Sequence, residues 1–411
     1  MDKLLRSHAQ NIITASIKAV QPDEAVSRAL RGREFPGRVV LVAAGKAAWQ
    51  MAKAAHDCMG ERIEKGVVIT KYDHVMGPIG NLDCREAGHP VPDEGSFSAT
   101  QAALDLVEGL HKEDTVLFLL SGGGSALFEK PLIPGGELQD VTQQLLACGA
   151  DIVEMNTIRK RLSAVKGGRF AQACAPAHVF SIVLSDILGD PLDMIASGPA
   201  YPDASTCQQA VAIAKKYNLK LTDNAWALLE QETPKALSNV TTLITGSVRE
   251  LCAAAAKECE KLGYRPIMLT DQLCCEAREA GSFLASILKT HAGGQESLAF
   301  IAGGETVVHL TGKGKGGRNQ ELALAAAPGI AGIEGTAVFS VGSDGTDGPT
   351  DAAGGYADSQ TLAALENVGL DLFAVMADND AYHALKAVDG LVVTGPTGTN
   401  VNDVAVALLH R

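Results

Sequence analysis

The sequence predicts an α/β protein: two α/β domains with largely parallel sheets covered by helices. Three observations carry this prediction. Short apolar runs recur that stop at a glycine and pass into a helix-like pattern, with no sequence repeat between them. Aromatic residues are only 4% while glycines number 43, so the core must pack on Ala, Val, Leu and Ile, and the turns need residues that tolerate positive φ. The chain has 411 residues, too many for one ordinary core.

Residues 1–30 read as an amphipathic helix, with Leu4, Leu5, Ile12, Ile13 and Ile17 at three- and four-residue intervals. Arg38–Ala44 is an apolar run ending at Gly45, and KAAWQMAKAAHDCM follows as a helix. Further strands are expected at Lys65–Thr70, Thr115–Leu120, Val179–Leu184, Thr241–Thr245, Ser297–Ala302, Thr336–Val341 and Leu391–Thr394. A polar stretch with Pro234, Glu230–Asn239, marks the domain boundary and gives domains 1–237 and 238–411.

The formal net charge of −13 argues against nucleic acid and anionic membranes as partners, so an anionic ligand would need a local basic patch. Nine cysteines, odd in number and without a CxxC pair, predict reduced thiols in a cytoplasm rather than zinc or a disulfide framework. The first residues lack an apolar signal region, and no apolar stretch is long enough to span a bilayer.

In open α/β sheets, ligands bind at the carboxyl ends of strands, and here those ends carry glycine, hydroxyl, carboxylate and cationic residues. Lys46 follows Gly45 at a helix start, where the dipole disfavours a cation unless an anion joins it. Ser121-Gly122-Gly123-Gly124-Ser125 can form an anion nest and is neither a Walker A loop nor a hydrolase elbow. Arg159-Lys160-Arg161 with Lys166-Gly167-Gly168-Arg169 is the densest basic cluster. Asp186 and Asp190, after an apolar run, suit Mg²⁺, which takes one or two carboxylates and fills the rest with water and phosphate. Gly304, Glu305 and then GKGKGGRNQE, with Lys313, Lys315, Arg318 and Asn319, point to phosphate neutralisation; Gly312, Gly314 and Gly317 also match a dinucleotide fingerprint. Asp344, Asp347 and Asp351 lack EF-hand spacing but call for a cation or a donor-rich ligand, and Asn400 and Asp403 close the series. His89, in a Pro-rich loop, is a further substrate candidate.

Taken together, AAGKAAWQMA, GHPVPDEGS, SGGGSALFEKP, MNTIRKRLSAVKGGR, LSDILGDPLDMIASGP, GGETVV with GKGGRNQE, and GSDGTDGPTDAAG resemble the glycerate 2-kinases that carry a C-terminal MOFRL-type domain. The resemblance implies a Rossmann-like N-terminal glycerate kinase domain, a MOFRL-type C-terminal domain and an active site in the interdomain cleft. It also implies transfer of the ATP γ-phosphoryl group to the 2-hydroxyl of D-glycerate, with Mg²⁺ and with Lys46 and Arg318 as the catalytic cations. In that scheme Ser121–Ser125, Lys166, Gly304, Glu305 and Asn319 meet phosphate or nucleotide. Asp344, Asp347 and Asp351 serve a metal or nucleotide, and Asp186 and Asp190 divide the remaining work, one carrying Mg²⁺ and one receiving the substrate proton, with Asp186 placed as catalytic and Asp190 as metal-binding and the two roles open to exchange. Arg159, Asn400 and His89 are left as substrate contacts. D-glycerate and ATP are the expected partners, with a homodimer left open. Two other readings stand beside it: an NAD(P)H-dependent hydroxypyruvate reductase, and a non-catalytic nucleotide- or anion-binding module.

Overall fold

A computed structural model describes all residues, Met1–Arg411. The chain divides into two compact units. The amino-terminal unit is Pro22–Ser185 with Asp190–Thr245; the carboxyl-terminal unit is Gly246–Arg411 together with Met1–Gln21 and Asp186–Gly189. This differs from a single cut between residues 237 and 238. The physical reason lies in side-chain burial: Leu5, Ile12, Ile13 and Ile17 pack with Val404, Val406 and Leu408, and Leu188 rests on the same core. Residues 1–30 accordingly form two helices, Lys3–Ala19 and Pro22–Leu30, which belong to different units. Pro22 opens the second helix, at the position where a missing N–H costs nothing.

The amino-terminal unit contains one sheet of six strands: β1 Val39–Ala44, β2 Ile63–Lys71, β3 Leu82–Ala87, β4 Thr115–Leu120, β5 His178–Leu184 and β6 Val240–Gly246. Their order is β3-β2-β1-β4-β5-β6, that of a doubly wound sheet. Pairings β3–β2, β2–β1, β1–β4 and β4–β5 are parallel. β1 and β4 are buried at every position, which explains why they read as unbroken apolar runs. Their shared direction brings the loops after Ala44 and Leu120 to one edge.

The sheet of the carboxyl-terminal unit has strands β7 Arg265–Leu273, β8 Leu298–Gly304, β9 Thr336–Gly342, β10 Gly354–Asp358, β11 Leu391–Val392 and β12 Asp403–Leu409, in the order β11-β10-β9-β12-β8-β7. Largely parallel pairing describes the first sheet, whereas this one is mixed. β7 and β8 pair in parallel, but β12 and β10 run against their neighbours. The reversal of β12 has a direct consequence: its first residue, Asp403, lies opposite Gly304, the last of β8, and Gly342, the last of β9. One acid is thereby delivered to the edge where two strands end. Helices cover the sheets of both units, and no helix is long and apolar enough to cross a membrane.

Candidate active site

At the end of β1 the chain turns at Gly45, with φ +127, where a Cβ would lie 2.2 Å from Ser121 Oγ. The amides leading into the following helix, Ala48–Met59, are spent: Lys46 N–H donates to Gly122 O (2.8 Å), Ala47 N–H to Ser121 Oγ (3.0 Å) and Ala48 N–H to Gly45 O (3.1 Å), while the amides of Trp49 and Gln50 keep no acceptor in the protein. Three of the amides at this helix start thus splice two neighbouring loops together, and those of Trp49 and Gln50 are the ones left unpaired. The Lys46 ammonium also stays open, half-buried and without a hydrogen-bond partner in the protein. Ser121 is a splice rather than a ligand group, being buried with its hydroxyl engaged. The N–H groups of Gly122 and Gly123 have no partner in the protein and form the open part of the loop.

Ser125 anchors the other end of this loop. Its carbonyl accepts from Lys166 Nζ (2.8 Å) and Arg159 Nη2 (3.1 Å), and its hydroxyl lies 3.4 Å from that of Ser197, which donates to Asn156. Gly124 is buried against Ala196 and offers packing, not an approach to a ligand. Lys166 is fully buried, donating also to Phe128 O (3.1 Å) with Glu129 Oε2 at 3.3 Å. Burial pushes its amine down to about 8, with the Glu129 charge pulling the other way. Lys166 is thus a strut beneath the loop and cannot reach a phosphate. Arg159 likewise holds the loop through main chain. Lys160 and Arg161 are buried on Asp203, so the basic cluster is internal structure rather than an anion patch.

Removing that strut has a calculable cost. Lys166→Met leaves Glu129 buried without its counter-charge, so unfolding stability should fall by about 3–5 kcal/mol. Adding Glu129→Leu should restore much of the loss, since an apolar pair of similar volume removes the uncompensated charge. Urea unfolding reads both; a Lys166→Met protein as stable as the parent would contradict the strut.

His89 follows β3 and stands beside the same loop. A Cβ on Gly123 would lie 3.0 Å from His89 Cδ2, 3.1 Å from its Nε2 and 3.1 Å from Lys46 Cγ, so the imidazole and the lysine stem share one spot. Asp190, in this unit, adopts φ +52, and its Oδ1 is buried with no hydrogen-bond partner.

The carboxyl-terminal unit builds a second cluster. Arg318 opens the helix Arg318–Ile330, and its guanidinium grips Asp403 through Nε (2.6 Å) and Nη2 (3.0 Å) and Glu305 through Nη1 (2.8 Å). Of five N–H donors, two remain, one on each terminal nitrogen. The Arg318 side chain is 34% exposed, so these can meet a ligand. Burial acts to lower its pKa, but Asp403, then Glu305 and Asp347, prevail and raise it above the usual arginine value. Burial pushes the Asp403 carboxyl up, against the pull of Arg318.

Some expected ligands have their polar atoms taken up within the protein, and others keep them open. Asp347 caps the helix: its carboxylate accepts from Asn319 N (3.1 Å), Gln320 N (2.9 Å) and Gln320 Nε2 (2.9 Å), and burial pushes its pKa up to about 6. No lone pair is left well placed for a metal. Asn319 is buried between Asp347 and Ser340. Gly304 allows close approach, since a Cβ would lie 2.1 Å from Leu273 O. Asp351 is exposed and accepts from the Tyr382 hydroxyl (2.7 Å). Asn400 is exposed, its side chain turned to Asn402 N–H (3.4 Å). Asp344 is half-buried at the end of β9; Oδ1 accepts from Thr346 N–H (2.9 Å) and Oδ2 is uncommitted. Asp186 lies in this unit, its carbonyl accepting from Asn402 Nδ2, which also donates to Glu305 Oε2 (each 3.2 Å).

The glycine-rich segment before Arg318 loses its dinucleotide context. It does not follow a strand directly, and a turn at Asp378–Asp380 braces it: Lys313 N–H donates to Asp378 and Lys315 N–H to Asp380 (both 2.9 Å). Gly312 and Gly314 are glycines because a Cβ would strike Asp378 at 2.2 Å and Asp380 at 2.5 Å. The Lys315 ammonium sits over the Tyr382 ring (4.5 Å) rather than toward a phosphate. Asn402, Asn379 and Glu129 escaped the sequence reading. Glu129 had a signal, an acid inside SALFEKP; a short polar residue at φ +55, such as Asn379, has little.

Arg318 and Glu305 border a cavity of about 620 Å³, whose wall includes Val307, Leu310, Asp344 and Pro349. Its size suits a nucleotide-sized ligand. Arg318 is outnumbered there by Glu305, Glu321, Asp344 and Asp347, so this region is not the positive patch that an anionic ligand alone would want.

A family model described as a domain of unknown function (DUF4147) matches residues 8–230, and the MOFRL family model matches residues 298–403. The chain is 51% identical to a D-glycerate 2-kinase of Thermotoga maritima, with 98% of each chain covered. It is 38% identical to a glycerate 2-kinase of Pyrococcus horikoshii, covering 98% of this chain and 97% of that one. A crystal structure of a Thermotoga maritima glycerate kinase matches with TM-score 0.95 at 50% identity, over 100% of both chains. Similarity that runs the length of both units, through the very strand ends described above, makes this chain a member of the glycerate 2-kinase family.

Proposed function

We propose that the chain transfers the γ-phosphoryl group of ATP to the 2-hydroxyl of D-glycerate, giving 2-phosphoglycerate and ADP. The observation that carries this reading is the Lys46 ammonium, which no protein group neutralises, standing beside the open amides of Gly122 and Gly123. Phosphoryl transfer asks mainly for positioning and for neutralisation of charge on the migrating group, and these groups supply both. In the carboxyl-terminal unit, the two unspent N–H donors of Arg318 suit a pair of phosphoryl oxygens. The nucleotide fits the cavity beside Arg318, whose apolar wall of Val307, Leu310 and Pro349 suits a base.

The donor set also fits Mg²⁺. No group of three or more His, Cys, Asp or Glu forms a ready cage, but Mg²⁺ needs only one or two carboxylates beside phosphate and water. In the carboxyl-terminal unit Asp344, with a free oxygen, would hold it, whereas the Asp347 carboxylate is taken up by Asn319 and Gln320; in the amino-terminal unit Asp190, with its buried unpartnered oxygen, is a separate candidate. When bound, the ion would neutralise phosphate charge, and the acid surplus around Arg318 favours such a cation. A reducing cytoplasm suits nine free thiols.

The test is a coupled assay for ADP release with D-glycerate, with phosphorus NMR to identify the product. A 2-phosphoglycerate signal is expected. Oxidation of NADH by hydroxypyruvate with no phosphorylated product would favour the reductase, and nucleotide binding without turnover the non-catalytic module.

A further inference from the structure

We propose that His89 is the proton acceptor for the substrate hydroxyl, a catalytic residue of the phosphoryl transfer; this rests on the kinase reading above. The argument starts from how the residue is held. Gly88 N–H donates to Asp93 Oδ1 (3.0 Å), and Asp93 caps the helix Glu94–Val107, so the turn carrying His89 is tied down on its carboxyl side. The imidazole then lies against Gly123, sharing that spot with the Lys46 stem, and only a residue without a Cβ leaves room for both. Neither ring nitrogen has a hydrogen-bond partner in the protein. A half-buried imidazole with both nitrogens free, beside an ammonium that is also free, is arranged for a ligand that brings its own polar groups.

The surrounding charges select its protonation state. Burial, then Lys46, then Lys71 lower its pKa from the ordinary 6.5, so the ring is neutral at physiological pH and can accept a proton. The neighbouring carboxylate, Asp93, is spent on Gly88, Ser96 and Tyr72, and Glu129 is sealed beneath the loop. In the step itself, the O–H bond of the 2-hydroxyl breaks and its proton passes to an imidazole nitrogen. The oxygen forms the new bond to the γ-phosphorus, and the bond to the bridging β,γ-oxygen breaks, leaving its electron pair on ADP. The imidazolium returns its proton to solvent after product leaves.

The experiment measures kcat and KM for D-glycerate phosphorylation against pH in the full chain, for the parent, His89→Asn, His89→Gln and Asp190→Asn, with circular dichroism as a fold check. The parent kcat/KM should fall as pH drops through a value below 6.5, because protonation of the free enzyme removes the acceptor. His89→Asn and His89→Gln should lose kcat by about 10²-fold or more, keep their KM for ATP, and lose that acid limb. Three results would overturn the assignment: a parent profile with no acid limb, substituted proteins that keep both rate and limb, or a limb abolished by Asp190→Asn instead. If the parent phosphorylates no glycerate at all, the kinase reading fails first and takes this assignment with it; turnover by the parent with indifferent His89 variants sinks only the role of His89.

Discussion

Lys46→Met should lower kcat for glycerate phosphorylation by about 10³-fold while leaving the thermal midpoint unchanged. The two halves of this expectation come from the same observation. The Lys46 ammonium makes no hydrogen bond in the protein, so its removal leaves no buried group unpaired. Its main chain is what binds the loops together, through Gly122 O, and methionine keeps that amide. Methionine also keeps an unbranched stem beside Gly123. What disappears is one positive charge held where charge moves during transfer. Because that charge is met only by ligand, the loss should fall on kcat more than on KM for glycerate. Steady-state kinetics alongside scanning calorimetry reads both numbers. A protein within about tenfold of the parent rate would remove Lys46 from the chemistry and, with it, the observation on which the functional reading rests.

The sequence is legible where burial is uniform and obscure where tertiary structure decides. β1 and β4 are buried at all positions and read as apolar runs; β7 is an edge strand with no fully buried position, RPIMLTDQL, and β10 is five residues beginning with two glycines. β12, DVAVALL, had a plain apolar signal, but it follows the loop that drew attention to Asn400. Its antiparallel direction could not be read, since an apolar run has no sign. The candidate site divides in the same way. Lys46, Gly122, Gly123 and Arg318 are the candidates that position at strand and helix ends picks out. Lys166 looked like the same kind of residue, a cation beside glycines, and only the depth of Glu129 beneath the loop turns it into a strut. Asp347 looked like Asp344, three residues earlier. One caps a helix and the other keeps a free oxygen, a difference set by where Asn319 and Gln320 begin their turn.

Arg318→Ala should both abolish turnover and weaken the carboxyl-terminal unit, a combination not expected of Lys46. The rate loss should reach about 10³-fold or more, the range for removing a guanidinium that stabilises a phosphoryl transition state. The stability loss should be about 3–5 kcal/mol, because Asp403 is buried and would lose a bidentate partner. The sheet makes this cost hard to relax: Asp403 begins β12 between Gly304 and Gly342 and cannot swing toward water without unpairing the strand. Arg318→Lys should separate the two effects. It returns a positive charge near Asp403 and so part of the stability, but a single ammonium cannot hold Asp403, Glu305 and a phosphoryl group together, and turnover should stay low. Adding Asp403→Asn to Arg318→Ala should likewise recover stability, since the buried charge is gone, without recovering rate. Urea unfolding and kcat measured on the four proteins decide it. If Arg318→Ala unfolds like the parent, the ion pair is not what holds the end of β12, and the two free N–H donors would have no fixed direction in which to meet a phosphate.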